Sequence, residues 1–202
     1  MLRVLGRASS NNVQKVLWLL EELRLPFSRE DYGGMFSNTA TPEYRKLNPN
    51  ATVPTLIDGD AAIWESNTIV RYLAAKYRSA LYPGDLGQRA RIEQWMDWQL
   101  GTLSPAFRPL FIGMVREGRT IGSLVEQHAA AARLFQILNE MLAAREYLAA
   151  PAMTLADIAI GPMLYRWHIL GLASEATPHL RQWLERLSER PGFRKHVMVV
   201  LA

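Results

Sequence analysis

Val53, Pro54, Glu65 and Ser66 fall within one stretch, TVPTLIDGDAAIWESNTIVRYLAAKY (residues 52–77), which offers two ways to hold a ligand. Pro54 cannot donate to a sheet ladder, so Val53-Pro54 marks a strand entry, an edge or a cis bond. Extended backbone at Val53, left unpaired on one side, hydrogen-bonds a peptide-like molecule as a neighbouring strand does. A helix starting at Ser66 presents free N–H groups, a hydroxyl and the positive end of its dipole to a carboxylate. The same residues also have a plainer use, in which Ser66 caps its helix and Pro54 shapes a turn. These residues alone leave both readings open.

The elements that must position them follow from patterning. Leu56-Ile57 and Ala61 to Ile63 read as short strands joined by Asp58-Gly59, because glycine tolerates the φ > 0 of a tight hairpin turn. Ile69, Tyr72, Leu73 and Lys76 follow at helical spacing, the lysine stem covering apolar surface. Upstream, LRVLG (residues 2–6) reads as a first strand. Residues 10–24 read as a helix with Val13, Val16, Leu17, Leu20 and Leu23 on one stripe. Residues 27–32 read as a second strand and 42–47 as a short helix. A helix between two strands predicts a parallel βαβ unit, with the hairpin antiparallel.

After the turn-rich segment SALYPGDLG (79–87) everything reads as helix. Residues 88–117 carry Trp95, Trp98, Phe107 and Phe111, with a break or bend expected at Pro105 and Pro109. Residues 121–148 read as one long helix through Val125, Ala129, Ala132, Leu138 and Leu142. Thr154 to Asp157 resembles a capping box that opens a helix kinked at Gly161-Pro162. Residues 178–189 and a last short run from Pro191 complete the chain. The expected division is 1–78, a linker at 79–87, and 88–202.

Composition excludes several chemistries. The 202 residues are 49% hydrophobic and 21% charged, as in ordinary globular proteins. The net charge of +4 comes from 23 basic and 19 acidic residues interspersed without a Lys/Arg run, which argues against nucleic acid. No apolar run approaches the roughly 18 residues that span a bilayer, and MLRVLGR is too short and charged for a leader, so a cytosolic protein without membrane partners is expected. With no cysteine there is no disulfide, no thiolate metal site and no protein thiol to do chemistry. Histidines at 128, 168, 179 and 196 lack ligand spacing, so no metal is expected.

Several motifs, taken together, resemble the cytosolic glutathione transferases over essentially the whole chain. They are Ser10-x-Asn12-Val13-x-Lys15-Val16-Leu17, Leu47-Asn48-Pro49-Asn50-x-x-Val53-Pro54, Trp64-Glu65-Ser66-Asn67-x-Ile69, Arg71-Tyr72-Leu73 and Thr154-Leu155-Ala156-Asp157-Ile158. The pattern around Ser10 is most similar to bacterial members near the theta, beta and nu classes. The resemblance implies an α/β N-terminal thioredoxin-like domain followed by an all-α C-terminal domain, and a homodimer. It implies a cis-Pro54, a Val53 backbone paired with the cysteinyl part of glutathione, and Glu65 and Ser66 at the γ-glutamyl end, with Glu65 expected as a buried acid. Ser10 falls where the family keeps the hydroxyl that meets the glutathione sulfur, with Asn12 and Ser9 as alternatives. Hydrogen bonds donated to sulfur favour the thiolate, which is the nucleophile. Ser10 is equally a preferred residue for a plain N-cap.

The chain departs from the family pattern at Thr52, where relatives carry a lysine that contacts the glycyl carboxylate; Arg45, Lys46 or the 35–39 loop are the candidates to compensate. The usual Gly-Asp before the capping box is replaced by Ala149-Ala150-Pro151-Ala152. The family's second-substrate pocket lies between its domains, and the candidates here are Arg7, Phe107, Arg108, Phe111, Met114, Arg166 and Trp167, although aromatics at helical spacing are usually core. Three functions follow: conjugation of glutathione, as co-substrate, to a small electrophile; glutathione-dependent reduction of disulfides or peroxides; and a non-catalytic binding module.

Overall fold

The computed structural model describes residues 1–199, which divide into two compact units, Met1–Tyr82 with Arg190–Val199 and Pro83–Glu189. The first carries a four-stranded sheet of β1 (Leu2–Leu5), β2 (Phe27–Glu30), β3 (Thr55–Asp58) and β4 (Ala61–Trp64), ordered β2-β1-β3-β4. β1 and β2 are parallel across helix α1 (Asn11–Glu22), while β3 pairs antiparallel with β1 and with β4. The β3–β4 hairpin turns at Gly59, whose φ of +61° disfavours a side chain. Helix α2 (Pro42–Leu47) is capped by Thr41, whose Oγ1 accepts from the Tyr44 N–H at 3.3 Å. Helix α3 (Ser66–Lys76) leaves the hairpin directly. The second strand ends at Glu30 rather than at Tyr32.

Helix α1 has almost no solvent face. Every residue from Val13 to Leu20 is buried, because β1, α3 and α9 (Pro191–His196) all pack against it. Gly192 lets α9 approach: a Cβ there would stand 2.8 Å from Trp18 Cδ1. Phe193 then meets Trp18 edge-to-face at 4.9 Å. The sequence stripe is corrected at two places. Leu23 is only half-buried, and Gln14 and Lys15, which lie off the stripe, are buried. The same contact groups residues 190–199 with the first unit, whereas the sequence reading counts them in the helical part.

The second unit begins with α4 (Leu86–Trp98), inside the segment expected as linker; Asp85 Oδ1 accepts from the Gln88 N–H at 2.7 Å and fixes that start. At the prolines, where a break or bend is expected, the helix does not break. Gln99–Leu103 forms a π-helical turn and α5 (Ser104–Val115) continues from it, with Pro109 inside the helix. A wider turn makes room where the Pro105 ring would meet the carbonyl four residues earlier. Helix α6 (Val125–Leu142) is shorter than expected, with a 3-10 turn at Ile121–Ser123 before it and turns after it. Gly122 and Ser123 are poor helix formers. Its buried face is Ala131, Phe135, Leu138 and Leu142, while Val125 and Ala129 are exposed. Helices α7 (Leu155–Ile169) and α8 (Pro178–Ser188) complete the unit, and Pro162 sits inside α7 without ending it.

The start of α7 is set by the capping box expected from sequence. Thr154 Oγ1 accepts from the Ala156 N–H at 3.3 Å, and Asp157 Oδ2 accepts from the Thr154 N–H at 2.8 Å. Asp157 Oδ1 also accepts from the Leu148 N–H at 3.1 Å, tying down the preceding turns. Burial pushes the Asp157 carboxyl up to about 6, against hydrogen bonds that favour its ionised form. Asp157→Asn replaces one acceptor by an amide that faces donors. It should destabilise the protein by about 1–3 kcal/mol, read as a lower midpoint in urea unfolding.

Candidate functional site

The approach to β3 is held by a buried polar clamp. Tyr44 and Asn48 are each 1% exposed. The Tyr44 hydroxyl donates to the Thr52 carbonyl at 2.7 Å, and Asn48 Nδ2 donates to the same oxygen at 2.9 Å and to Thr55 Oγ1 at 3.3 Å. Asn48 Oδ1 accepts from the Asn50 N–H at 3.0 Å, which closes the Asn-Pro-Asn turn on itself. The Thr52 side chain is exposed; its carbonyl is the part the fold uses. Beyond this clamp the Val53-Pro54 bond is cis. Pro54 is buried and Val53 half-buried. The Val53 backbone N–H and carbonyl make no hydrogen bond with the described residues.

Gly6 and Gly33 keep the ground beside Val53 clear. A Cβ on Gly6 would lie 2.5 Å from Val13 Cγ2 and 3.3 Å from the Val53 Cβ, and one on Gly33 would lie 3.1 Å from Val53 Cγ1 and 3.3 Å from Arg7 Nη1. A Cβ on Gly34 would lie 2.9 Å from both Cδ and Nε of Arg7. Arg7, the two glycines and Val53 therefore form one neighbourhood. Of the residues named to compensate for Thr52, Arg45 spends its Nε on the Ala40 carbonyl at 3.3 Å.

Ser10 occupies the N-cap position of α1, with φ −77° and ψ 123°, yet its hydroxyl makes no capping bond. Its carbonyl accepts from Gln14 at 2.9 Å and its N–H donates to the Arg7 carbonyl at 3.1 Å. The plain capping use is thus corrected: Ser10 is only 9% exposed, and its hydroxyl bonds to none of the described residues. Asn12 is exposed on the first turn and Ser9 is half-buried beside it. Asn11, which the sequence reading passes over, buries an Oδ1 that has no partner among the described residues.

At α3 two expectations change. Glu65 is exposed rather than buried, and it takes φ +67° and ψ 114° at the N-cap, a region that residues with a Cβ seldom enter. Ser66 is the first helical residue, 5% exposed, and its hydroxyl does not cap the helix. It faces Lys15 instead: Lys15 Nζ lies 3.4 Å from Ser66 Oγ and 3.3 Å from Asn67 Oδ1. Lys15 is 1% exposed, and burial pushes its ammonium down to about 7, with the Glu65 carboxylate opposing. The sequence motif contains Lys15 and Asn67 without giving them a task. The available signal is that Lys15 lies in a run, VQKVLWLL, too apolar to leave any face for water.

The remaining candidates lie in the helical unit. Phe107, Phe111 and Trp167 are buried, with Phe107 6.2 Å from both other rings, so these aromatics serve as core. Arg166 is 7% exposed and its guanidinium stands 4.5 Å over the Phe111 ring. Met114 is half-buried, and Arg108 is exposed. Among the described residues no His, Asp or Glu group is arranged to hold a metal, and no helix is long and apolar enough to cross a membrane.

Two family models match the chain: the glutathione S-transferase N-terminal domain over residues 9–76 and the glutathione S-transferase C-terminal domain over residues 114–191. The glutathione S-transferase GstB of Escherichia coli K12 is 38% identical across 98% of this chain and 99% of its own length. Glutathione S-transferase 3 of Zea mays is 33% identical across 98% of this chain and 94% of its own. The theta class glutathione S-transferase from Xanthomonas axonopodis pv. citri, solved with glutathione bound, superposes with a TM-score of 0.94 at 39% identity, covering 100% of this chain and 99% of that one.

The buried ammonium gives a pH prediction for the ligand-free protein. Lys15 titrates near 7 when folded and near its ordinary 10.5 when unfolded, so the unfolded chain binds more protons between those values. Stability therefore rises with pH across that window, by roughly 1 kcal/mol per pH unit at its steepest. Urea midpoints measured from neutral to alkaline pH should show this rise, and Lys15→Met should flatten it.

Proposed function

The chain belongs to the glutathione S-transferase family, and we propose that it binds glutathione in its first unit and transfers it to an electrophilic carbon. The observation that carries this reading is the Ser10 hydroxyl, held almost out of solvent at the head of α1 and bonded to none of the described residues. In the proposed complex it donates to the glutathione sulfur, with Asn12 as the neighbouring amide. The unpaired backbone of Val53, set after the Thr52 clamp and before cis-Pro54, supports pairing with the cysteinyl part. The exposed Glu65 carboxylate suits the ligand's ammonium. Ser66 and the N–H groups opening α3 suit its α-carboxylate, for about 0.3–2 kcal/mol from the dipole besides the hydrogen bonds.

The chemistry is then simple. The thiol releases its proton to solvent, and the resulting thiolate is stabilised by the Ser10 donor. A sulfur electron pair forms the carbon–sulfur bond, and the leaving group departs with its own bonding pair. With no cysteine in the chain, glutathione supplies the reacting sulfur. For electrophile recognition Arg7 remains a proposed contributor from the first unit; Phe107 and Phe111 serve the core of the helical unit instead. A cytosolic homodimer is the proposed assembly, which sedimentation in solution reads directly.

Ser10→Ala should lower the rate of aryl-halide conjugation tenfold or more, since a hydrogen bond to a charged acceptor is worth about 1.5–3 kcal/mol. An unchanged rate would remove the assigned role. Millimolar glutathione should also raise the melting temperature, because a ligand that binds only the folded state stabilises it. Faster reduction of a small disulfide than conjugation of the halide would instead favour the reductase chemistry.

A further inference from the structure

We infer that Arg7, lying on the Gly33-Gly34 backbone at the β1 side of Val53, binds the ligand's second carboxylate, the glycyl one. This rests on the glutathione reading above and adds to it a binding residue for the end of the molecule that Ser66 does not reach.

The strand ends stand in a fixed order. β3 begins where β1 and β4 finish: Thr55 pairs with Leu5 on one side and with Trp64 on the other. Glu65 and Ser66 follow β4 directly, and Gly6 and Arg7 follow β1. β2 finishes on the outer side of β1, where the Arg7 N–H donates to the Tyr32 carbonyl at 3.0 Å just before Gly33. Val53 thus has the start of α3 on its β4 side, and Arg7 with Gly33-Gly34 on its β1 side.

Glutathione carries a carboxylate at each end. With its cysteinyl part on Val53 and its γ-glutamyl end at Ser66, the glycyl end leaves toward β1. The lengths match. The ends of β4 and β1 are separated by two strand spacings, about 10 Å. An extended molecule of three residues spans about 10 Å as well.

Arg7 suits that end in position and charge. Gly33 and Gly34 take φ of +75° and +58°, and the space their missing Cβ atoms leave is where Arg7 lies. A Cβ on Gly34 would be 3.2 Å from Arg7 Cζ, and one on Gly33 would be 3.3 Å from its Nη1. Arg7 is half-buried and Gly34 exposed, so a carboxylate can reach this rim from solvent. At this end of the sheet Arg3 pairs with Glu30 and Arg29 with Asp31, so that with Arg7 three arginines stand against two acids. Arg7 is also engaged within the fold, but a planar guanidinium carries several N–H donors and serves more than one acceptor. The cations of α2 suit the role less. Arg45 Nε is held on the Ala40 carbonyl, and Lys46 lies two residues beyond the inward-facing Tyr44, about 200° round the helix. Thr52 offers no charge.

The test is calorimetric titration with glutathione and with its glycyl monoethyl ester, which removes only the negative charge at that end. The wild type should bind the ester about tenfold more weakly than glutathione, as a lost charge-assisted hydrogen bond predicts. Arg7→Met should bind glutathione about tenfold more weakly than the wild type does and should no longer distinguish it from the ester. Arg7→Lys should recover part of the preference. With a neutral aryl halide as second substrate, Arg7→Met should raise the KM for glutathione. Equal affinity of the wild type for the two ligands overturns the inference and leaves the glutathione reading standing. So does an Arg7→Met protein that keeps the preference for glutathione, or one that weakens both ligands equally. A loss confined to an acidic halide, with the Kd for glutathione unchanged, overturns it too and leaves Arg7 as a contact of the electrophile alone. No binding of either ligand by the wild type overturns both.

Discussion

An ammonium cut off from bulk water must be met by oxygen atoms, and here two of those atoms belong to the residues that open α3. Lys15 reaches Ser66 Oγ and Asn67 Oδ1 from the middle of α1. This contact ties the helix that begins at Ser10 to the helix that begins at Ser66, so the two proposed ends of the site keep a fixed register. It is possible only because α1 is enclosed by β1, α3 and α9 together. Were α1 open to water on the Lys15 side, the side chain would extend outward and the coupling would vanish. The enclosure in turn depends on Gly192, which lets α9 close over Trp18.

The loop before β3 solves a different problem. A strand entry exposes backbone polar groups, and buried ones must be paired. Tyr44 and Asn48 satisfy the Thr52 carbonyl from within the fold, and the next residue, Val53, keeps its N–H and carbonyl unpaired among the described residues. The Asn-Pro-Asn segment is thus a local fastener whose consequence is an available strand edge one residue later. Gly6 and Gly33 keep side chains out of the same space, while the Arg7 guanidinium brings positive charge to its rim.

Much of this was legible in the chain itself. The parallel pairing of the βαβ unit, the Gly59 turn, the short α2 helix and the capping box at Thr154 all follow from local signals, and each formed where those signals place it. What sequence missed shares one cause: burial imposed by distant elements. Periodicity assigns Lys15 to a polar side because it cannot see α9 arriving from residue 191 onwards. The same blindness made Glu65 a buried acid, when it is an exposed N-cap in a positive-φ conformation. At Pro105 and Pro109 the rule that proline breaks a helix met a third option, a π-turn that absorbs the ring without a break. Motif spacing singled out the polar candidates, whereas the groups they meet in the fold were set by packing.

Ser10 shows why those two kinds of information differ. A serine at an N-cap ordinarily stabilises its helix by about 1 kcal/mol through its side chain. Here the residue keeps the cap's backbone geometry and forgoes the bond. Helix α1 tolerates this because its stability comes from burial on all sides, with Val13 to Leu20 removed from water, rather than from its end. The enclosure that creates the Lys15 contact therefore also frees the Ser10 hydroxyl. A helix held by packing can leave its first hydroxyl without a capping partner, and the role proposed for this one is to donate to a sulfur anion.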